Sequence, residues 1–281
     1  MMFRQTLIQV GLPSFWRLVQ SPWLKPLVYG LLLFNSVLYF IDEWGNAQLL
    51  LSIESSWLQW SGLFKTTIDE IGWLGLILAF EIETFWLSAR SGSFLTVRSG
   101  LRVFRWLCYF LLAHTIVVNV TAGYQYLQVT PELDAPSSCA LIDSEVFYSY
   151  NLSYTLIDSD NCKAFESNAL DYYLEPNVVS DEAGYQLAGW HAWFDFQDAL
   201  LWLLVVAVIE LSVWRRHQGR PLGRLPLVAG VVYAGLLIDG GFWMIHGHYL
   251  YVYDQLLWIF GFWAIEANLR LKGSSGLVQQ N

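Results

Sequence analysis

Six stretches of mainly apolar residues recur along the chain, at residues 26–42, 70–89, 102–122, 196–214, 225–246 and 252–269. A bilayer core about 30 Å thick asks a helix for roughly 20 such residues. Lipid offers no partner to an open backbone, so each stretch predicts a transmembrane helix. Taken in pairs, they predict three helical hairpins within a membrane domain spanning residues 26–272. The polar positions inside them repeat as well. Asp69, Trp73 and Glu81 share the spacing Asp-x3-Trp-x7-Glu with Asp198, Trp202 and Glu210, and with Asp254, Trp258 and Glu266. Each set falls on the returning helix of a hairpin. The outgoing helices match more loosely, pairing Tyr29 with Asn35, Tyr109 with His114 and Tyr233 with Asp239. The fold class this predicts is an all-α polytopic membrane protein of six helices, three similar hairpins arranged around a pseudo-threefold axis.

The pattern between the spans divides the remainder. Residues 1–25 read as an interfacial N-terminal arm, broken by Pro13 and Pro22. Residues 43–68 carry Trp57 and Trp60 in a short amphipathic run, which predicts a helix lying at the membrane interface. Residues 123–190 are acidic, rich in Tyr and too long for a simple connection, which predicts a small cap. Residues 273–281, rich in Gly, Ser and Gln, read as a disordered tail.

Composition fixes the class and charge fixes the orientation. Of 281 residues, 55% are hydrophobic and only 14% charged, which departs from soluble domains toward membrane proteins. All 15 basic residues except Lys65 and Lys163 lie in the N-terminal arm, the second-to-third connection, the fourth-to-fifth connection or the tail. The positive-inside rule then places both termini in the cytoplasm of a bacterial inner membrane or plasma membrane. Apart from Glu81, Glu83, Glu210, Asp239 and Glu266, which fall inside spans, the 24 acids lie on the opposite side. The net charge of −9 is therefore a property of the outer face, and nucleic acid is excluded as a partner. Cys139 and Cys162 share the long outer loop, an oxidising setting that predicts a disulfide, whereas Cys108 reads as a small buried apolar residue.

Acids at two depths are the candidate chemistry. On each returning helix the Glu lies about 18 Å inward from the Asp. An outer level of Asp69, Asp198 and Asp254 above an inner level of Glu81, Glu210 and Glu266 would attract cations or relay protons. Glu83 lies beside the inner level, and Asn35, His114 and Asp239 offer partners in mid-span. Gly240 and Gly241 after Asp239 permit close backbone approach or a local break. The competing reading pairs Glu266 with Arg270, Glu210 with Arg215 and Asp239 with His114. Separately, His191, Asp195, His246 and His248 fall at the outer ends of the fourth and fifth spans, a set suited to a transition metal if it converges. No other cofactor is indicated.

The leading expectation is a membrane protein that moves a cation or protons along these carboxylates. The alternative is a non-transporting scaffold or accessory subunit of an envelope or redox complex, held to other membrane subunits by its aromatic faces and acidic cap. An enzyme with an outer-face metal is the third.

Overall fold

The computed structural model describes residues 23–51, 55–83, 95–132, 137–165, 170–175 and 177–262. Helices dominate: α1 Leu24–Leu50, α2 Trp57–Leu63, α3 Lys65–Glu81, α4 Leu95–Tyr126, the one-turn α5 Cys162–Phe165, α6 Glu182–His217 and α7 Leu225–Ile245. Residues 249 to 262 form α8. Leu24–Leu50, Thr96–Tyr126, Glu182–Ser212 and Leu225–Ile245 are long and apolar enough to cross a membrane. Leu33, Phe34, Val103, Phe110, Leu237 and Ile238 on them are all exposed. Lipid solvates such a surface and water does not, so this is the make-up of a helical multi-pass membrane protein. The stretch at 70–89 is helical through Glu81 and that at 252–269 through residue 262, and the remainder of each lies outside the described residues. So do nearly all of the N-terminal arm and the whole tail.

Two helices run further than apolarity alone predicts, and polar contacts explain both. α1 continues past Phe40 to Leu50 because its far end has something to hold. Glu43 is buried and accepts hydrogen bonds from the backbone N–H groups of Thr66 and Thr67, at 2.8 and 3.0 Å. Those N–H groups belong to the first turn of α3, where a carboxylate satisfies open donors and meets the positive end of the helix dipole. Phe40 and Trp44 pack on Phe64 beside it. The run read as interfacial contains a short helix, α2, which Ser56 and Gln59 start with a reciprocal capping box. α6 begins at Glu182, well before the apolar run at 196. Asp181 caps it, accepting from Gly184 N–H at 2.8 Å and from the Tyr148 hydroxyl at 3.1 Å.

The long loop folds into a small sheet domain. After a 3-10 turn at Ser138–Ser144 come β1 Phe147–Tyr150, β2 Ser153–Leu156, β3 Tyr172–Glu175 and β4 Val178–Ser180, in the order β2-β1-β4-β3. β1 and β4 pair in parallel at the centre, with Phe147 opposite Val178, and the outer pairs are antiparallel. Leu141, Val146, Ile157, Leu170 and Val179 form its core, which the predicted Cys139–Cys162 disulfide closes. The domain sits on α6: Tyr172 stacks on Tyr185 at 4.4 Å, and Tyr185 donates to the Tyr126 carbonyl at 2.7 Å. Burial raises the Tyr154 phenol above its ordinary range, aided by Tyr126 and Glu175, so it stays neutral here.

The described chain forms two compact units, one of residues Leu38–Asp239 and one joining the residues up to Val37 with those from Gly240. In the first, α3 packs on α4 and α4 on α6. Gly72 and Gly75 permit the α3–α4 approach: a Cβ at Gly75 would lie 2.6 Å from Cys108 Sγ, and one at Gly72 2.9 Å from Leu112. Cys108 is the buried packing residue its setting predicts. In the second unit, the early part of α1 meets α8, with Gly261 against Val28.

Candidate functional site

The start of α3 places the first functional side chains. Glu43 fixes its opening turn, and from there Lys65 forms an ion pair with Asp195 of α6 and donates to Asn119 Oδ1 of α4 at 3.1 Å. Asn119 Nδ2 donates in turn to the Asp195 carbonyl at 3.2 Å. One turn along α3, Asp69 accepts from its own repeat partner, the Trp73 indole N–H, at 3.0 Å, and lies beside Thr115 of α4, whose hydroxyl donates to the Leu111 carbonyl at 3.3 Å. Asp198 of α6 likewise takes Trp202 as a hydrogen-bond partner. The two indoles meet edge to face with centroids 5.9 Å apart. The Asp-x3-Trp spacing is thus a local device: one helical turn brings the indole N–H back onto the carboxylate.

Asp239 on α7 completes the group. It is fully buried, and its Oδ1 accepts from Gln197 Nε2 of α6 at 2.6 Å. Its Oδ2 has no hydrogen-bond partner among the described residues. Asp195 lies within electrostatic range of Asp69, Asp198 and Asp239, and Asp198 within range of Asp69 and Asp239. With Glu70, buried next to Asp69 on α3, five carboxylates from three helices share one region in which Lys65 supplies the ammonium shown among the described residues. Such an excess of negative charge among apolar helices is tolerated only when protons or a cation neutralise it.

In the other unit the same chemistry takes a quieter form. Asn35, also fully buried, donates through Nδ2 to Asp254. Gln255 is buried next to it, and a Cβ at Gly240 would fall 2.8 Å from Gln255 Oε1. Of the two alternatives read at Gly240 and Gly241, the close approach is present and the break is absent, since α7 is continuous through Ile245. Here an amide donor holds the carboxylate.

A regularity joins these contacts that the looser sequence match misses. Asn35, Thr115 and Asp239 each stand six positions after a Tyr, namely Tyr29, Tyr109 and Tyr233. All three are buried, and they meet Asp254, Asp69 and the Gln197–Asp198 segment respectively. His114, the residue read at this position from sequence, turns elsewhere and bonds the Ser61 hydroxyl of α2 at 3.0 Å. The constant spacing to Tyr was the available signal for Thr115.

The acids read as the inner level are placed as follows. Glu83 is exposed and paired with Arg105 of α4. Glu210 is exposed and accepts from the Tyr109 hydroxyl at 2.9 Å. Arg215, its alternative partner from sequence, instead donates to the Pro221 and Leu222 carbonyls. Glu81 is half-buried near the end of α3. Glu266 and Arg270 lie outside the described residues.

The contacts of the four residues read as a metal set are as follows. Asp195 pairs with Lys65, His191 is buried on α6, His246 contacts the Phe242 carbonyl at 2.8 Å, and His248 packs against Trp243 and Tyr251. Among the described residues, no three His, Cys, Asp or Glu side chains gather as a metal centre. The tryptophans sort by role. Trp73, Trp202 and Trp258, the three of the repeat, are 5%, 7% and 5% exposed, whereas Trp23, Trp57 and Trp106 are 78%, 78% and 73% exposed. The three are thus interior residues, Trp73 and Trp202 as hydrogen-bonding partners of aspartates and Trp258 stacked on Phe262, distinct from the anchoring belt that most membrane tryptophans form. Comparison of the chain with known protein families, characterised proteins and solved structures finds no match.

Proposed function

We propose that this chain conducts or transports protons, or a small cation, through the carboxylates Asp69, Asp195, Asp198 and Asp239. Asp239 carries the reading: a fully buried carboxyl with one bonded oxygen, one oxygen without a partner among the described residues, and two more acids in electrostatic range. A buried acid left half-satisfied is costly, and in transport proteins such acids serve as proton or ion relays. Protons are the preferred cargo. The acids are distributed over three helices in series with Thr115, Gln197 and the two indoles, which suits a relay better than a coordination shell.

In this reading the three hairpins are copies of one unit. Each outgoing helix matches its buried polar residue to the returning helix of the hairpin before it in cyclic order. The acidic sheet domain faces the outside and raises the local proton or cation concentration, both termini are cytoplasmic, and the host is a plasma or bacterial inner membrane. Glu81, Glu83, Glu210 and Glu266 form the inner exit in this reading, supported by the exposure of Glu83 and Glu210. Reconstituted protein under an imposed pH gradient tests this directly. Proton uptake above that of empty vesicles, lost on Asp239→Asn, is the expected result. Folded protein that carries neither protons nor alkali cations would favour the scaffold reading instead.

A further inference from the structure

We propose that Lys65 is the tethered cation of the carboxylate cluster, seated on Asp195 in competition with the protons the cluster binds. The proposal rests on the proton-relay reading for its consequence and on geometry for its substance. Asp195 is the acid common to the electrostatic surroundings of Asp69, Asp198 and Asp239. Lys65 is the residue that pairs with it. The groups facing Asp195 are Lys65 and Asp69 from α3, Asn119 and Tyr126 from α4, Asp198 from its own helix and Asp239 from α7. Lys65 is the base that these contacts show, and His191 stands one turn before Asp195 on α6.

Its seat is built rather than incidental. Glu43 fixes the first turn of α3, and the Phe40, Trp44 and Phe64 rings pack where that turn begins. Asn119 bonds both members of the pair, through Oδ1 to the ammonium and through Nδ2 to the Asp195 carbonyl. With the ammonium seated, the cluster holds fewer protons at a given pH. When protons load the neighbouring acids, the pull on Lys65 weakens.

The test is infrared titration of buried carboxyl groups in purified full-length protein, which reads protonation whether or not the protein transports. Lys65→Gln should move half-protonation to higher pH, by a proton concentration roughly tenfold lower than wild type needs. Lys65→Arg should retain the wild-type profile. Asp195→Asn removes one acid and leaves the ammonium, so it should move the profile of the remaining acids to lower pH. A Lys65→Gln profile that overlays wild type or moves to lower pH would overturn the proposal. Should that variant fail to fold, an Asp195→Asn profile that is unmoved or moves to higher pH overturns it equally. Proton flux measured on the same proteins separates the two claims. The predicted infrared shifts without flux from any variant would remove transport and leave Lys65 assigned as the counter-ion.

Discussion

Glu83 and Glu210 lie toward one end of the helices that carry Asp69 and Asp198 toward the other, yet the two levels are neutralised differently. The glutamates are exposed, and among the described residues they pair with Arg105 and the Tyr109 hydroxyl respectively. The aspartates belong to a group of carboxylates that also includes Glu70 and that meets the Lys65 ammonium, and its deepest member, Asp239, is wholly enclosed. The same residue types on the same helices thus do different work according to what encloses them. Where several acids share one region, their protonation is linked to the charges around them.

Substitutions can break this contrast, and the largest effect belongs at Asp239. Asp239→Asn keeps the Gln197 contact in altered form and should reduce proton flux by at least about tenfold, read as the initial rate after a pH jump. Trp202→Ala comes next. It removes a buried indole, its bond to Asp198 and its contact with Trp73, and should cost about 3–5 kcal/mol in denaturation of the solubilised protein. Trp106→Ala, at an exposed position, is the control that should cost well under 1 kcal/mol. Replacing Cys139 and Cys162 by Ser should cost the sheet domain about 3 kcal/mol, checked by its susceptibility to protease, while leaving the cluster in place. The smallest effect should follow Glu83→Gln. Losing an exposed pair with Arg105 costs about 0.5 kcal/mol and should leave flux within twofold.

The membrane class was legible because apolar runs of bilayer length have few alternative uses, and the disulfide because both cysteines fall in one polar loop. The pairing of Asp with Trp at four-residue spacing was visible as a pattern, though its meaning was not. Spacing shows that two side chains share a helix face, and only packing shows that Trp73 and Trp202 turn inward while Trp57 turns out. Lys65 and Asp195 lie 130 positions apart, with polar neighbours typical of a helix end, so nothing local announces that they pair. The long polar start of α6 was missed for a related reason. Its first turns are held by Asp181 and the sheet domain rather than by lipid, and hydropathy registers only the latter.

The most direct measurement compares the two levels in one assay: proton flux into vesicles for wild type, Asp239→Asn and Glu210→Gln, each verified as folded and inserted. A relay through the buried cluster requires that Asp239→Asn abolish the flux and that Glu210→Gln leave most of it. Equal flux from wild type and Asp239→Asn, or loss confined to Glu210→Gln, would contradict it.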